Sequence, residues 1–78
     1  MEWIEENNRL KKTFFFTDFV EAFGFMSRVA IIAEKMYHHP NWNIVYHTVS
    51  FELNTHDAGD IVTEKDHALA REIDKLAP

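Results

Sequence analysis

Residues 13–40 read TFFFTDFVEAFGFMSRVAIIAEKMYHHP, and a change of hydrophobic period inside this stretch decides the fold. Phe14 and Phe16 share one face of an extended segment and Phe15 takes the other, the two-residue alternation of a strand. At Asp18 the period lengthens. Asp18 with Glu21 three positions on is a capping-box pattern, in which each side chain satisfies a backbone N–H that helix geometry leaves unpaired. Beyond it, Phe19, Phe23, Met26, Ala30, Ala33 and Tyr37 form one stripe at about 100° per residue. Phe25, Val29, Ile32 and Met36 form an adjoining stripe. The predicted helix starts near Asp18 and ends at about Tyr37, because Pro40 disfavours helical geometry at His39. The two stripes span about half the circumference, more than the arc of somewhat over 100° that a surface helix buries. The excess is either a thick core or a second stripe that packs against another subunit.

Upstream of this stretch, residues 3–7 and 9–16 read as two strands joined by an Asn7-Asn8 turn. Downstream, residues 42–54 are rich in Trp, Ile, Val, Tyr, Thr and Phe, which suit β structure. Val49, Phe51 and Leu53 alternate with Ser50, Glu52 and Asn54, as in a strand with one buried face. The segment is long for one strand, so a tight turn is predicted near Tyr46–Thr48. After a loop over Thr55–Val62, Thr63-Glu64-Lys65-Asp66 repeats the capping-box pattern and opens a last helix striped by Leu69, Ile73 and Leu76. The order ββαββα implies an α+β two-layer sandwich: a four-stranded antiparallel sheet with helices on one face, forming a single domain over residues 1–78.

A chain of 78 residues buries only roughly 60% of its unfolded surface, which leaves it marginal without support. It has no cysteine, so disulfides and thiolate metal sites are excluded and self-association is the expected reinforcement. Thirteen acidic residues against eight Lys and Arg give a net charge of -5, and no basic patch marks a nucleic-acid binder. No apolar run approaches the roughly 20 residues of a membrane helix. The acidic start Met1-Glu2-Trp3-Ile4-Glu5-Glu6 lacks the basic region of a signal peptide. A cytoplasmic protein with neither nucleic-acid nor membrane partners is expected.

Chemistry gathers around histidine. His38 and His39 stand where the long helix stops, and His56 stands where the long strand region ends; such element ends present functional side chains. Glu34 lies four residues before His38, which places both on one side of a regular helix. Trp42 offers an aromatic wall. Imidazole titrates near pH 6.5, so one ring can donate a proton while another accepts one. Imidazoles, a carboxylate and an aromatic surface suit a planar, polar heterocycle. A plain reading stands beside each feature: a solvated His-His pair, a surface i,i+4 pair, a capping Asp66 and a core Trp42. A zinc site is disfavoured, because adjacent His38 and His39 point apart in an extended segment and H-E-x-x-H is absent.

Glu34-Lys35-Met36-Tyr37-His38-His39-Pro40-Asn41-Trp42, followed by Val45-Tyr46 and then by Thr55-His56-Asp57-Ala58-Gly59, resembles the signature of the pterin-4a-carbinolamine dehydratase family. The resemblance also takes in Phe14, Phe16, Phe19, the segments 22–26 and 28–30, Thr63 and Asp66, and covers nearly the whole chain. It implies a lyase that dehydrates 4a-hydroxytetrahydropterin to quinonoid dihydropterin, in the recycling of tetrahydrobiopterin-type cofactors, with no metal and no organic cofactor. It implies that His38, His39 and His56 are catalytic, with His39 and His56 sharing the acid and base roles and His38 placing or protonating the hydroxyl. Glu34, Tyr37, Trp42, Thr55, Asp57 and Asp66 are the implied substrate-binding and pocket residues. A homodimer or homotetramer built through helix contacts is implied as well. The chain departs from the family pattern twice. Members commonly carry a further helix before the first strand, and Gly59-Asp60-Ile61-Val62-Thr63 is one residue longer than the usual G-G-L-T, which loosens the placement of Asp66. Two other readings stay open: a scaffolding member that acts through protein contacts, and a pterin binder of another pathway.

Overall fold

A computed structural model describes residues 2–78. Its strands are β1 (Ile4–Glu6), β2 (Arg9–Phe15), β3 (Asn41–Val45) and β4 (Thr48–Leu53), and its helices are α1 (Phe19–Lys35) and α2 (Glu64–Leu76). The strands form one antiparallel sheet in the order β1-β2-β4-β3. The ββαββα sandwich expected from the sequence is the fold observed.

The turns follow from backbone chemistry. Asn7 and Asn8 both adopt positive φ (53° and 60°), as a two-residue hairpin loop of type I′ requires, and Asn tolerates that region better than most residues. Tyr46 and His47 form the second two-residue loop, with Tyr46 at φ 52° and Val45 paired to Thr48 across it. Asp18 caps α1 by accepting from the Glu21 N–H at 2.8 Å. Glu21 reaches back past Asp18 to the Thr17 N–H at 3.0 Å, one residue further than a regular capping box.

Register assigns the two faces of the sheet. Leu10, Phe14, Val49, Phe51, Leu53, Trp42 and Ile44 point toward the helices, while Thr13, Ser50, Glu52, Asn41 and Asn43 point away. The core is aromatic at its centre. Phe25 of α1 lies 5.1 Å from Phe14 and 6.1 Å, edge to face, from Phe51. Edge contacts of this kind add about 0.5–1.5 kcal/mol to the burial itself. α2 adds Leu69, Ala70 and Ile73 to this core. At its rim, Asp74 accepts from the Lys12 ammonium (2.8 Å) and the Trp3 indole N–H (3.1 Å), tying α2 to β2 and to the residue just before β1.

α1 resolves the question of its two stripes, with their roles exchanged. Phe25, Val29, Ile32 and Met36, the stripe considered for a partner subunit, face the core together with Ala22 and with Met26 and Ala33 of the first stripe. Phe19, Phe23, Ala30 and Tyr37 of the other stripe are exposed. α2 docks along the Ile32–Met36 side, and a helix packed on both a sheet and a neighbour buries the arc between them.

Candidate active site

α1 does not run on to Tyr37. Its last helical residue is Lys35, Met36 is the cap, and Tyr37 turns into the left-handed region at φ 54°. The His38 N–H then bonds back to the Ala33 carbonyl (3.1 Å) and the Tyr37 N–H to that of Glu34 (3.2 Å), which closes a Schellman motif. The left-handed geometry costs a residue with a Cβ about 1–2 kcal/mol. Its consequence is directional, because His38 is swung off the line of the helix and in toward α2.

The expected Glu34–His38 pair is therefore not made. Glu34 instead accepts from His39 Nε2 at 2.8 Å. His38 Nε2 lies 2.6 Å from Asp66 Oδ1, beneath the surface, and the His38 side chain is only 12% exposed. A carboxylate can only accept, so His38 carries its proton on Nε2 and leaves Nδ1 free.

Asp66 is 0% exposed, and its oxygens are fully engaged by the protein. Besides His38 it accepts from the Thr63 N–H (2.9 Å), the capping-box bond of α2, and from the Thr55 hydroxyl (2.8 Å). Thr55 Oγ1 lies 2.7 Å from Thr63 Oγ1; since Thr55 donates to Asp66, it accepts from Thr63. Thr63 Oγ1 in turn accepts from the Lys65 N–H at 3.3 Å. The result is a one-way chain of donors ending on a buried carboxylate, an arrangement in which each bond polarises the next. It leaves no buried side-chain polar atom unsatisfied among the described residues.

On the opposite side lies the segment from Thr55 to Ile61. It is a short 3-10 turn (His56–Ala58) closed by the Thr55–Ile61 bridge and ended by Gly59 at φ 92°. His56 stands on this turn with its side chain 87% exposed, and its Nδ1 is 2.9 Å from Asp60 Oδ1. The hydrogen bond to Asp60 raises the His56 pKa above its ordinary 6.5, aided by the negative charges of Asp60 and Asp57.

A cavity of about 280 Å³ lies between these parts, lined by Tyr37, His38, His39, Asn54, Thr55, His56, Asp57 and Lys65. All three histidines of interest meet on it, and each has one ring nitrogen committed to a carboxylate. Among the described residues no group of three His, Asp or Glu side chains is arranged to hold a metal ion. A larger groove of about 430 Å³ between α1 and α2 is lined by Ile32, Lys35, Met36, Ala68, Arg71 and Glu72 and contains no imidazole, so it offers poorer acid–base chemistry near neutral pH.

A profile described as pterin 4 alpha carbinolamine dehydratase matches residues 1–76. The chain belongs to this family. It is 53% identical over 74 residues to a Prochlorococcus marinus (strain NATL2A) protein provisionally named a pterin-4-alpha-carbinolamine dehydratase, covering 95% of this chain and 77% of that one. Among solved structures, it superposes with TM-score 0.91 on a transcriptional coactivator/pterin dehydratase from Brucella melitensis, at 38% identity over 97% of this chain and 82% of the other. It also superposes with TM-score 0.83 on a pterin dehydratase-like protein described as a RuBisCO assembly factor of the alpha-carboxysome, at 28% identity over 99% and 90% of the two chains.

The expected pocket residues take different places around the cavity. Trp42 does not line the cavity; it sits on the inner face of β3 with its ring 5.6 Å from Phe51, partly in the core. Asp66 has no exposed surface and stands behind His38. Thr55 touches the cavity, but its hydroxyl is turned to Asp66 and Thr63. Tyr37 and Asp57 line the cavity, and Glu34 reaches it through His39. Asn54, Asp60 and Lys65 belong to the site and escaped the sequence reading. The i,i+4 spacing of His56 and Asp60 was a visible signal for one of them, and Lys65 immediately precedes the capping Asp66.

Proposed function

We propose that the chain is a 4a-hydroxytetrahydropterin dehydratase working by histidine acid–base catalysis, without metal or organic cofactor. The convergence of three imidazoles on one cavity, each held by its own carboxylate, carries this reading within the family. Dehydration breaks the C4a–O bond, removes the proton on N5 and forms C4a=N5; the departing hydroxide takes a proton and leaves as water. His39 and His56 are the accessible imidazoles and take the base and acid roles, while His38, largely covered, places the hydroxyl. Imidazole side chains suit a reaction that needs one proton delivered and one removed. Glu34 and Asp66 orient His39 and His38 from behind.

The product, quinonoid dihydropterin, is the form a reductase returns to use, and the proposed reading extends to pterin recycling in the cytoplasm. No helix among the described residues is long and apolar enough to cross a membrane. The exposed stripe Phe19, Phe23, Ala30 and Tyr37, with Phe15 and Val20 beside it, supports assembly as a homodimer or homotetramer. The likeness to a RuBisCO assembly factor favours a second reading, in which the fold works as a scaffold through protein contacts.

The test is a rapid-mixing assay with freshly generated 4a-hydroxytetrahydropterin. Acceleration over the buffer-catalysed rate supports the enzyme, and a chain no faster than buffer leaves the scaffold reading.

A further inference from the structure

The loop carrying His56 is built around an unusual residue. Asp60 adopts φ 60°, in the left-handed region, directly after Gly59 at φ 92°. Asp is among the few non-glycine residues that enter this region readily. Both peptide groups of Asp60 are tied down: its N–H donates to the Thr55 carbonyl at 3.1 Å, and its own carbonyl accepts from Asn54 Nδ2 at 3.4 Å. The Thr55 N–H bonds the Ile61 carbonyl at 2.8 Å and closes the loop. Backbone geometry rather than side-chain reach therefore delivers the carboxylate to His56 Nδ1.

We infer that Asp60 is a positioning residue for His56, holding the imidazole with Nδ1–H toward the carboxylate and Nε2 as the nitrogen that serves the substrate. The inference rests on the dehydratase reading of this cavity. Three observations support it. Asp60 completes a pattern already set by Asp66 on His38 and Glu34 on His39, so no histidine on the cavity lacks a carboxylate. The presented nitrogens then differ, Nδ1 on His38 and His39 against Nε2 on His56, which suits imidazoles approaching one substrate from opposite walls. The pair is also too exposed to matter much for stability, with His56 and Asp60 side chains 87% and 63% exposed, so its effect falls on tautomer and protonation. The other charged or titratable groups facing His56 are Asp57 on its own turn, Tyr37, His38 and His39 at the end of α1, and Lys65 at the start of α2. Glu34 acts on this group only through His39.

Asp60→Asn and Asp60→Gly separate the carboxylate from the loop, because both replacements accept positive φ and neither carries charge. The His56 ring is followed by NMR titration and by its ring-nitrogen shifts, alongside the pH profile of dehydration. The expected result is a lowered His56 midpoint in both variants, a mixed tautomer in Asp60→Gly where the intact chain shows Nδ1–H, and a Tm that changes only slightly. The limb of the rate profile that follows His56 moves down by the same amount. A His56 midpoint and tautomer unchanged in both variants overturn the pairing. A midpoint that moves while the rate profile stays fixed overturns the role in turnover. An intact chain that dehydrates no pterin sinks the dehydratase reading and the catalytic role with it, whereas the pairing is still decided by the titration.

Discussion

The two walls of the cavity carry the same chemical unit in opposite surroundings. On the α2 side, the His38–Asp66 pair is almost wholly covered and is wired through Thr55 and Thr63 into the start of a helix. On the loop side, the His56–Asp60 pair stands in water on a 3-10 turn. A buried carboxylate must have its partners or the fold loses free energy, whereas an exposed pair is screened and contributes little. The covered wall thus couples the site to stability. In the proposed dehydratase, the open wall leaves an imidazole free to change protonation during turnover with little effect on the fold.

The contrast is most sharply broken at Asp66. Asp66→Ala strands the Thr55 hydroxyl and the Thr63 N–H and removes the partner of His38; a loss of about 3–5 kcal/mol is expected, a large part of what a domain of this size has. Urea denaturation reads it as a lowered midpoint at unchanged slope, and an unchanged midpoint would show that the network adds nothing to the fold. Thr55→Val, nearly isosteric, removes one donor to Asp66 and the acceptor for Thr63. A loss of about 1–3 kcal/mol is expected in the same assay, and a variant as stable as the parent would remove Thr55 from the chain of donors.

A smaller effect of opposite sign is expected at Tyr37. Tyr37→Gly relieves the left-handed strain at the end of α1 and raises stability by up to about 1 kcal/mol, with the flexibility of glycine in the unfolded chain taking back part of the gain. A fall in Tm would contradict the strain assigned there. The smallest effect is the pH response of the open wall. The folded pKa of His56 is raised above the unfolded 6.5, so its contribution to stability is fully present below pH 6.5 and is lost as pH rises through the folded value. The stability difference between the intact chain and Asp60→Asn should shrink over that window, and a difference that grows with pH would reverse the sign of the pairing.

The same two walls show what the sequence can and cannot convey. Asn7-Asn8, the capping residues Asp18 and Thr63 and the alternation of Val49, Phe51 and Leu53 are local signals, and each element appeared where those signals stand. The inward stripe of α1 was not legible, because two adjoining stripes are about equally apolar and the docking of α2 decides between them. The partner of Glu34 was misread for a related reason. Helical spacing pairs it with His38, but one left-handed residue at Tyr37 hands it to His39. Local pattern alone read Thr55 as a loop residue and Thr63 with Asp66 as a helix cap, because the His38–Asp66 pair spans 28 positions of chain; only the family resemblance implied Thr55 and Asp66 for the pocket. Trp42 read as a wall because its motif places it beside the histidines; strand alternation turns it inward instead. The histidines themselves pointed to a reaction only once their spacing was seen to resemble that of a family.

The most direct measurement is the rate of water loss from 4a-hydroxytetrahydropterin catalysed by the intact chain and by His56→Ala, compared at equal folded fraction. The account predicts clear acceleration over buffer by the intact chain and a loss of about 100-fold or more in the variant, with its urea midpoint essentially unmoved. An intact chain no faster than buffer, or a variant that keeps the full rate, would contradict it.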